Sequence, residues 1–262
     1  MNKAQPDEEF FIGWEKNVPP LQRRFLYDRL FGIFAFVFSL ALLLPFLQRR
    51  YAPSFYNYMT KSEFEGVFIA EPVPSLRVAR PGTIGDGQEK DSNYLLVNPR
   101  KYGFSRGNMD ELNGKNIRLK GTLIFNRNQT MIEVDQKSIE QIPSNLLEPH
   151  EEEKLVNLGR YKLTGEIVDS KCYYGVLNPG FGKPHRACAV RSISNGVPPL
   201  LLIRSESGET CELLVLAKDM KMIGRKILDR VGVPVQVVGD VYKWGNKYII
   251  ETDPPLIEAI DD

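Results

Sequence analysis

The sequence predicts a mainly β protein in which one N-terminal transmembrane helix precedes two tandem copies of a small five-stranded barrel. Three observations lead there: an uncharged apolar run near the N-terminus, an ungapped internal repeat, and short alternating segments punctuated by glycine, proline and asparagine. At 262 residues the chain is long enough to bury two small cores.

The apolar run is Leu30–Leu47, LFGIFAFVFSLALLLPFL, 18 positions without a charge. That length and composition suit a helix crossing a hydrocarbon core, so residues 30–50 are assigned to the span. A cleaved signal peptide is the competing reading. Against cleavage, the run is long for a signal sequence and is followed by Gln48-Arg49-Arg50-Tyr51, with no small-x-small site. Lys16, Arg23, Arg24 and Arg29 precede the span, whereas only Arg49 and Arg50 follow closely. This bias places the N-terminal tail inside and the bulk of the chain outside, as a signal-anchor protein. Residues 1–29 read as a polar tail whose Phe10, Phe11 and Trp14 suit the membrane interface.

The repeat fixes the organisation of the remainder. Advancing Gly114–Ile142 by 118 positions lays it on Gly232–Ile260 without a gap, matching Gly121 with Gly239, Asn128 with Asn246, Ile132 with Ile250, Glu133 with Glu251 and Asp135 with Asp253. Each copy ends in an alternating strand containing a glycine (116–124; 234–242), a turn, and a returning strand (130–135; 247–252). A glycine inside a strand marks the bend that a curling sheet needs. Each copy also opens on a glycine-containing strand, at 64–68 and 163–167. The second copy continues with a hairpin, 200–204 and 210–216, and a helix-like stretch over Ala217–Val231. Three strands, a helix and two strands is the element order of the OB barrel. The first copy has only Asn108–Leu112 at the helix position. The barrels are assigned to residues 51–147 and 148–262, with the charged segment Glu148–Lys154 between them.

The copies differ most after their opening strands. The first continues with a proline- and glycine-rich connection over Pro72–Asp91; the second has the Cys/His-containing loop 170–199. From Ser170 to Arg204 there are five basic residues, Lys171, Lys183, Arg186, Arg191 and Arg204, and no Asp or Glu, although the formal net charge of the chain is only +1. Near-neutrality argues against nucleic acid as a partner. The loop reads as a dock for a partner protein or ligand built from Lys171, Tyr173, Tyr174, Lys183, His185, Arg186 and Arg191. A membrane-bound protein would be that partner, and the chain an accessory subunit.

Cys172 and Cys188 carry two further readings. In an oxidising compartment they would most simply pair as a disulfide, leaving Cys211 as a small buried apolar residue. With His185 they could instead hold zinc or copper through three protein ligands, leaving a fourth position open. A thiol- or metal-dependent redox protein or enzyme is therefore the alternative to a binding module. Classical enzyme signatures are absent from the sequence: there is no Walker A loop, no GxGxxG fingerprint and no nucleophile elbow, and the chain has only two histidines, His150 and His185.

Overall fold

The computed structural model describes residues 18, 20–48, 54–79, 91–105, 107, 109–143 and 154–260. Most of the expected N-terminal tail and most of the charged segment between the barrels lie outside these residues. The first element is helix α1, Pro20–Gln48. It begins ten residues before the apolar run because backbone hydrogen bonding does not stop where side chains become charged, and a proline is well tolerated in a first helical turn. Within Gln22–Leu47 the most apolar 18-residue window has a mean hydropathy of 2.6 and is wholly unburied, and the helix is long enough to cross a membrane.

The remaining strands are β1 (Ser54–Tyr56), β2 (Ser62–Ile69), β3 (Ser75–Val78), β4 (Ser92–Asn98), β5 (Tyr102–Gly103), β6 (Asn116–Asn126), β7 (Gln129–Gln141), β8 (Val156–Asp169), β9 (Pro199–Arg204), β10 (Thr210–Ala217), β11 (Lys221–Met222), β12 (Pro234–Trp244), β13 (Lys247–Glu251) and β14 (Ile257–Ala259), with helix α2 (Arg186–Ser194) between β8 and β9. The first barrel closes in the order β2-β3-β4-β7-β6 and back to β2; all pairs are antiparallel except β4 with β7. The second closes identically as β8-β9-β10-β13-β12 and back to β8, with β10 and β13 parallel. This closed order is that of the OB barrel.

The repeat extends to strand register. Ile117 pairs with Gln141 and Thr122 with Glu133 in the first barrel; Val235 pairs with Ala259 and Asp240 with Glu251 in the second, each 118 residues on. Gly114 N–H donates to the Phe68 carbonyl, and its counterpart Gly232 N–H to that of Ile167, at 2.8 and 2.9 Å. The strand glycines are explained by close approach. A Cβ on Gly121 would stand 2.7 Å from the Glu133 carbonyl oxygen, and one on Gly239 would collide with that of Glu251. Only a residue without a side chain lets the bent strand lie so near its partner.

Two expectations change. The Pro72–Asp91 connection contains β3, whose Ser75, Leu76 and Arg77 are buried, so the link after the opening strand is only residues 70–74; residues 80–90 lie outside those described. Ala217–Val231 is not one α-helix but the short strand β11 and a 3-10 stretch, Gly224–Arg230. Asp219, Met220 and Gly224 all have φ near +60°, which no right-handed helix accommodates. The apolar positions nevertheless face inward, with Ile223, Ile227 and Val231 buried in the second core.

Three apolar clusters organise the barrels. One fills the first barrel around Phe68, Leu76, Leu119 and Ile132; another fills the second around Ile167, Leu201, Val237 and Ile250. The third lies between them and draws on both, with Val73, Leu95, Ile124 and Met131 meeting Val168, Tyr174, Leu200, Leu214, Trp244 and Ile249. At this seam Lys247 donates to Gln129 Oε1 at 2.7 Å, and these two residues are repeat equivalents. Asn246 adds a carbonyl accepting from Gln129 Nε2 at 3.1 Å and a side-chain oxygen accepting from Asn93 N–H at 2.9 Å. The copies therefore meet through corresponding faces, in the manner of an isologous dimer held in one chain.

Candidate metal centre

Strand β8 delivers Asp169 to the end of the second barrel, where the chain leaves the sheet and turns. Asp169 Oδ1 accepts the Cys172 N–H at 2.8 Å, as a helix N-cap does, and starts one π-helical turn over Cys172–Val176. The chain returns through a 3-10 turn at Lys183–His185 into α2. The segment expected as a loop is thus largely helical. Its cue was legible in the sequence: Ala189, Ser192 and Ile193 recur at helical spacing and form the buried side of α2.

This path brings Asp169, Cys172, His185 and Cys188 together, with one ligand atom from each lying within 4.8 Å of all the others. The Cys172 and Cys188 sulfurs stand 3.7 Å apart. His185 Nε2 lies 2.8 Å from Asp169 Oδ2, and both side chains are almost wholly buried. The other ring nitrogen, Nδ1, is buried with no hydrogen-bond partner. Because a carboxylate can only accept, it fixes the proton on Nε2 and leaves the Nδ1 lone pair available. Burial, and then the Asp169 carboxylate, pushes the Cys172 thiol well above the usual range, as expected for a sulfur kept from water beside a negative charge.

The disulfide expected from spacing is not formed. All three cysteines are free, and 3.7 Å is far beyond the roughly 2.05 Å of an S–S bond. Cys211 is exposed instead of buried; it lies near the hairpin tip of β10, where the core has run out.

The residues read as a basic dock separate into two groups. Lys171, Tyr173, Tyr174 and His185 are buried. Lys171 directs its ammonium at the Asn98 and Arg100 carbonyls, at 2.7 and 2.5 Å, and at Glu133 Oε2 at 2.5 Å. Burial lowers its pKa, against the opposing pull of Glu133. Tyr173 donates to Glu212 Oε1 at 3.0 Å, and Tyr174 packs in the seam between the barrels. Lys171, Tyr173 and Tyr174 are internal because the turn at Cys172 folds onto the first barrel instead of projecting outward, and His185 is internal because it turns in onto Asp169. Lys183, Arg186 and Arg191 are exposed, and Arg186 reaches the Asp229 carbonyl at 3.0 Å.

Sequence reasoning missed two members of the cluster. Asp169 stands three residues before Cys172, just outside the acid-free segment that begins at Ser170, and nothing in its neighbours marks it as more than a strand-end acid. Lys101 comes from the first barrel, with its ammonium against Cys188 Sγ and 3.7 Å from Cys172 Sγ. Only the packing of the barrels brings it there. No known protein family and no curated protein matches this chain.

Proposed function

We propose that the second barrel holds a thiophilic metal ion, zinc or copper in class, through Cys172, Cys188 and His185 Nδ1, with Asp169 orienting the imidazole from behind. The observation that carries this reading is a buried imidazole, one of whose nitrogens is unpartnered, clustered with two thiols at a tetrahedral spacing. Two sulfurs bound to one zinc at about 2.3 Å would lie roughly 3.8 Å apart, close to the 3.7 Å between these thiols. The pairing of Asp169 with His185 matches the carboxylate–histidine arrangement that fixes tautomer and ring orientation at metal sites. Three protein ligands leave a fourth position for water or a substrate, so the centre suits polarisation of a bound group as well as structural bracing.

The proposal includes the setting. Helix α1 tethers the barrels to a membrane, and the excess of basic residues before the apolar run favours barrels on the extracytoplasmic side. A second reading, docking of a membrane-protein partner, is favoured by the exposed Lys183, Arg186 and Arg191 around α2. In that reading the metal centre braces the docking helix and the chain acts as an accessory subunit.

The test is elemental analysis of full-length protein purified in detergent without chelators. One zinc or copper per chain is expected. Cys172→Ser or Cys188→Ser should abolish it, and Asp169→Asn should retain the site with about 10–100-fold weaker affinity. A preparation with no stoichiometric metal, which also takes up none on titration with zinc or cobalt, overturns the metal reading. If metal is absent but replacing Lys183, Arg186 and Arg191 together abolishes recovery of a defined membrane partner, docking is left as the function.

A further inference from the structure

The donors of the proposed centre all belong to the second barrel, yet the charged group nearest their sulfurs belongs to the first. Lys101 Nζ contacts Cys188 Sγ and lies 3.7 Å from Cys172 Sγ, and its ammonium hydrogen-bonds no other partner among the described residues.

The turn that carries Lys101 is fastened to the second barrel on both sides. Before it, the Asn98 and Arg100 carbonyls accept from the buried Lys171 ammonium. After it, Gly103 N–H donates to the Asn195 carbonyl at 3.0 Å, at the end of α2. Gly103 packs so tightly there that a Cβ would overlap the Gly196 carbonyl group. Arg100 holds a left-handed φ of 63°, uncommon for a residue with a side chain. A strained residue, a glycine with no room for a methyl group and a buried lysine thus converge on one turn, and the residue at its centre points at the sulfurs.

We propose that Lys101 is a positioning residue of the metal centre, donating N–H···S hydrogen bonds to both thiolates so that the first barrel sets how strongly those sulfurs bind and react. An ammonium has three donors and no acceptor, so it cannot act as a fourth ligand while charged. Hydrogen bonds to metal-bound thiolates draw electron density from sulfur, which leaves the metal more electrophilic and the sulfurs less nucleophilic. Charge balance points the same way. Two thiolates and the Asp169 carboxylate around one divalent ion carry one excess negative charge, and Lys101 neutralises it.

The inference rests on the metal reading, and full-length protein loaded with cobalt(II) in detergent tests the two separately. The unmodified protein should show a sulfur-to-cobalt charge-transfer band. Lys101→Met should keep one cobalt per chain, move that band to longer wavelength and speed alkylation of the bound thiolates by iodoacetamide about tenfold, the loss of a hydrogen bond to a charged group. Lys101→Arg should restore both. Gly103→Ala, which displaces the turn with Lys101 present, should shift the band in the same direction. An unmoved band and alkylation rate in Lys101→Met at full cobalt occupancy overturn the inference. So does loss of cobalt that Lys101→Arg does not restore, which would give Lys101 a purely structural place. Absence of any band in the unmodified protein instead overturns the metal reading itself.

Discussion

The two barrels share strand order, register and even the glycines that bend their strands, but they differ in the segment leaving the opening strand. In the first, residues 70–74 lead directly into β3; in the second, residues 170–198 form two helical segments and gather the thiols, the imidazole and the carboxylate. The barrel is therefore a scaffold indifferent to chemistry, and the chemistry comes from one connection grafted onto one copy. The first copy contributes in another way, by covering the turn at Cys172 and supplying Lys101.

The largest effect is expected where the copies touch through equivalent residues. Gln129→Lys would make the position identical in both copies and set two buried ammonium groups face to face, costing roughly 3–5 kcal/mol. Lys247→Gln makes the same position identical the other way, with two amides that can still pair, and should cost only about 1 kcal/mol. Denaturant unfolding of both variants checks this. Equal losses would mean that the Lys247–Gln129 contact does not hold the seam.

A smaller but symmetric effect is expected at the bends. Gly121→Ala and Gly239→Ala each drive a methyl group onto a carbonyl oxygen of the returning strand. Both should lose about 1–3 kcal/mol by overpacking. Because the barrels share an apolar cluster, each variant should melt in one transition in calorimetry. Two separate transitions would show that the copies are thermodynamically independent.

The smallest effect concerns Glu212 of β10, whose Oε1 accepts from the Tyr173 hydroxyl at 3.0 Å. Burial raises its pKa above the ordinary glutamate value of 4.5, partly offset by the Tyr173 and Thr210 hydroxyls. A carboxyl whose folded pKa is raised binds its proton more tightly when folded. Stability should therefore fall as pH rises from about 4.5 through the higher folded value, and stay lower above it. Glu212→Gln keeps an acceptor for Tyr173 and should flatten that decline. A melting temperature that varies with pH identically in both proteins would remove Glu212 as the cause.

These contrasts also explain what the sequence could reveal. The barrels were legible because closure imposes local rules: alternation, a glycine where a strand bends, and a turn between paired strands. A duplication then wrote those rules twice, as with Gly121 and Gly239. Cys172, His185 and Cys188 stood out by residue type. Asp169 was hidden because its role depends on the turn that it caps, not on its neighbours in the chain. The burial of Lys171, Tyr173 and Tyr174 could not be inferred locally, since the surface that buries them belongs to a barrel about 70 residues away in sequence. The expected disulfide failed for a related reason: spacing allows two thiols to meet, but the neighbouring groups decide what they do.

The seam made by Val73, Ile124, Met131, Leu200, Trp244 and Ile249 has one more consequence. Two identical subunits meeting through this face would be obliged to change together, since every substitution would appear on both sides at once. Placing them on a single polypeptide lifts that obligation. One half can then give up its own chemistry and become the wall against which the other half works.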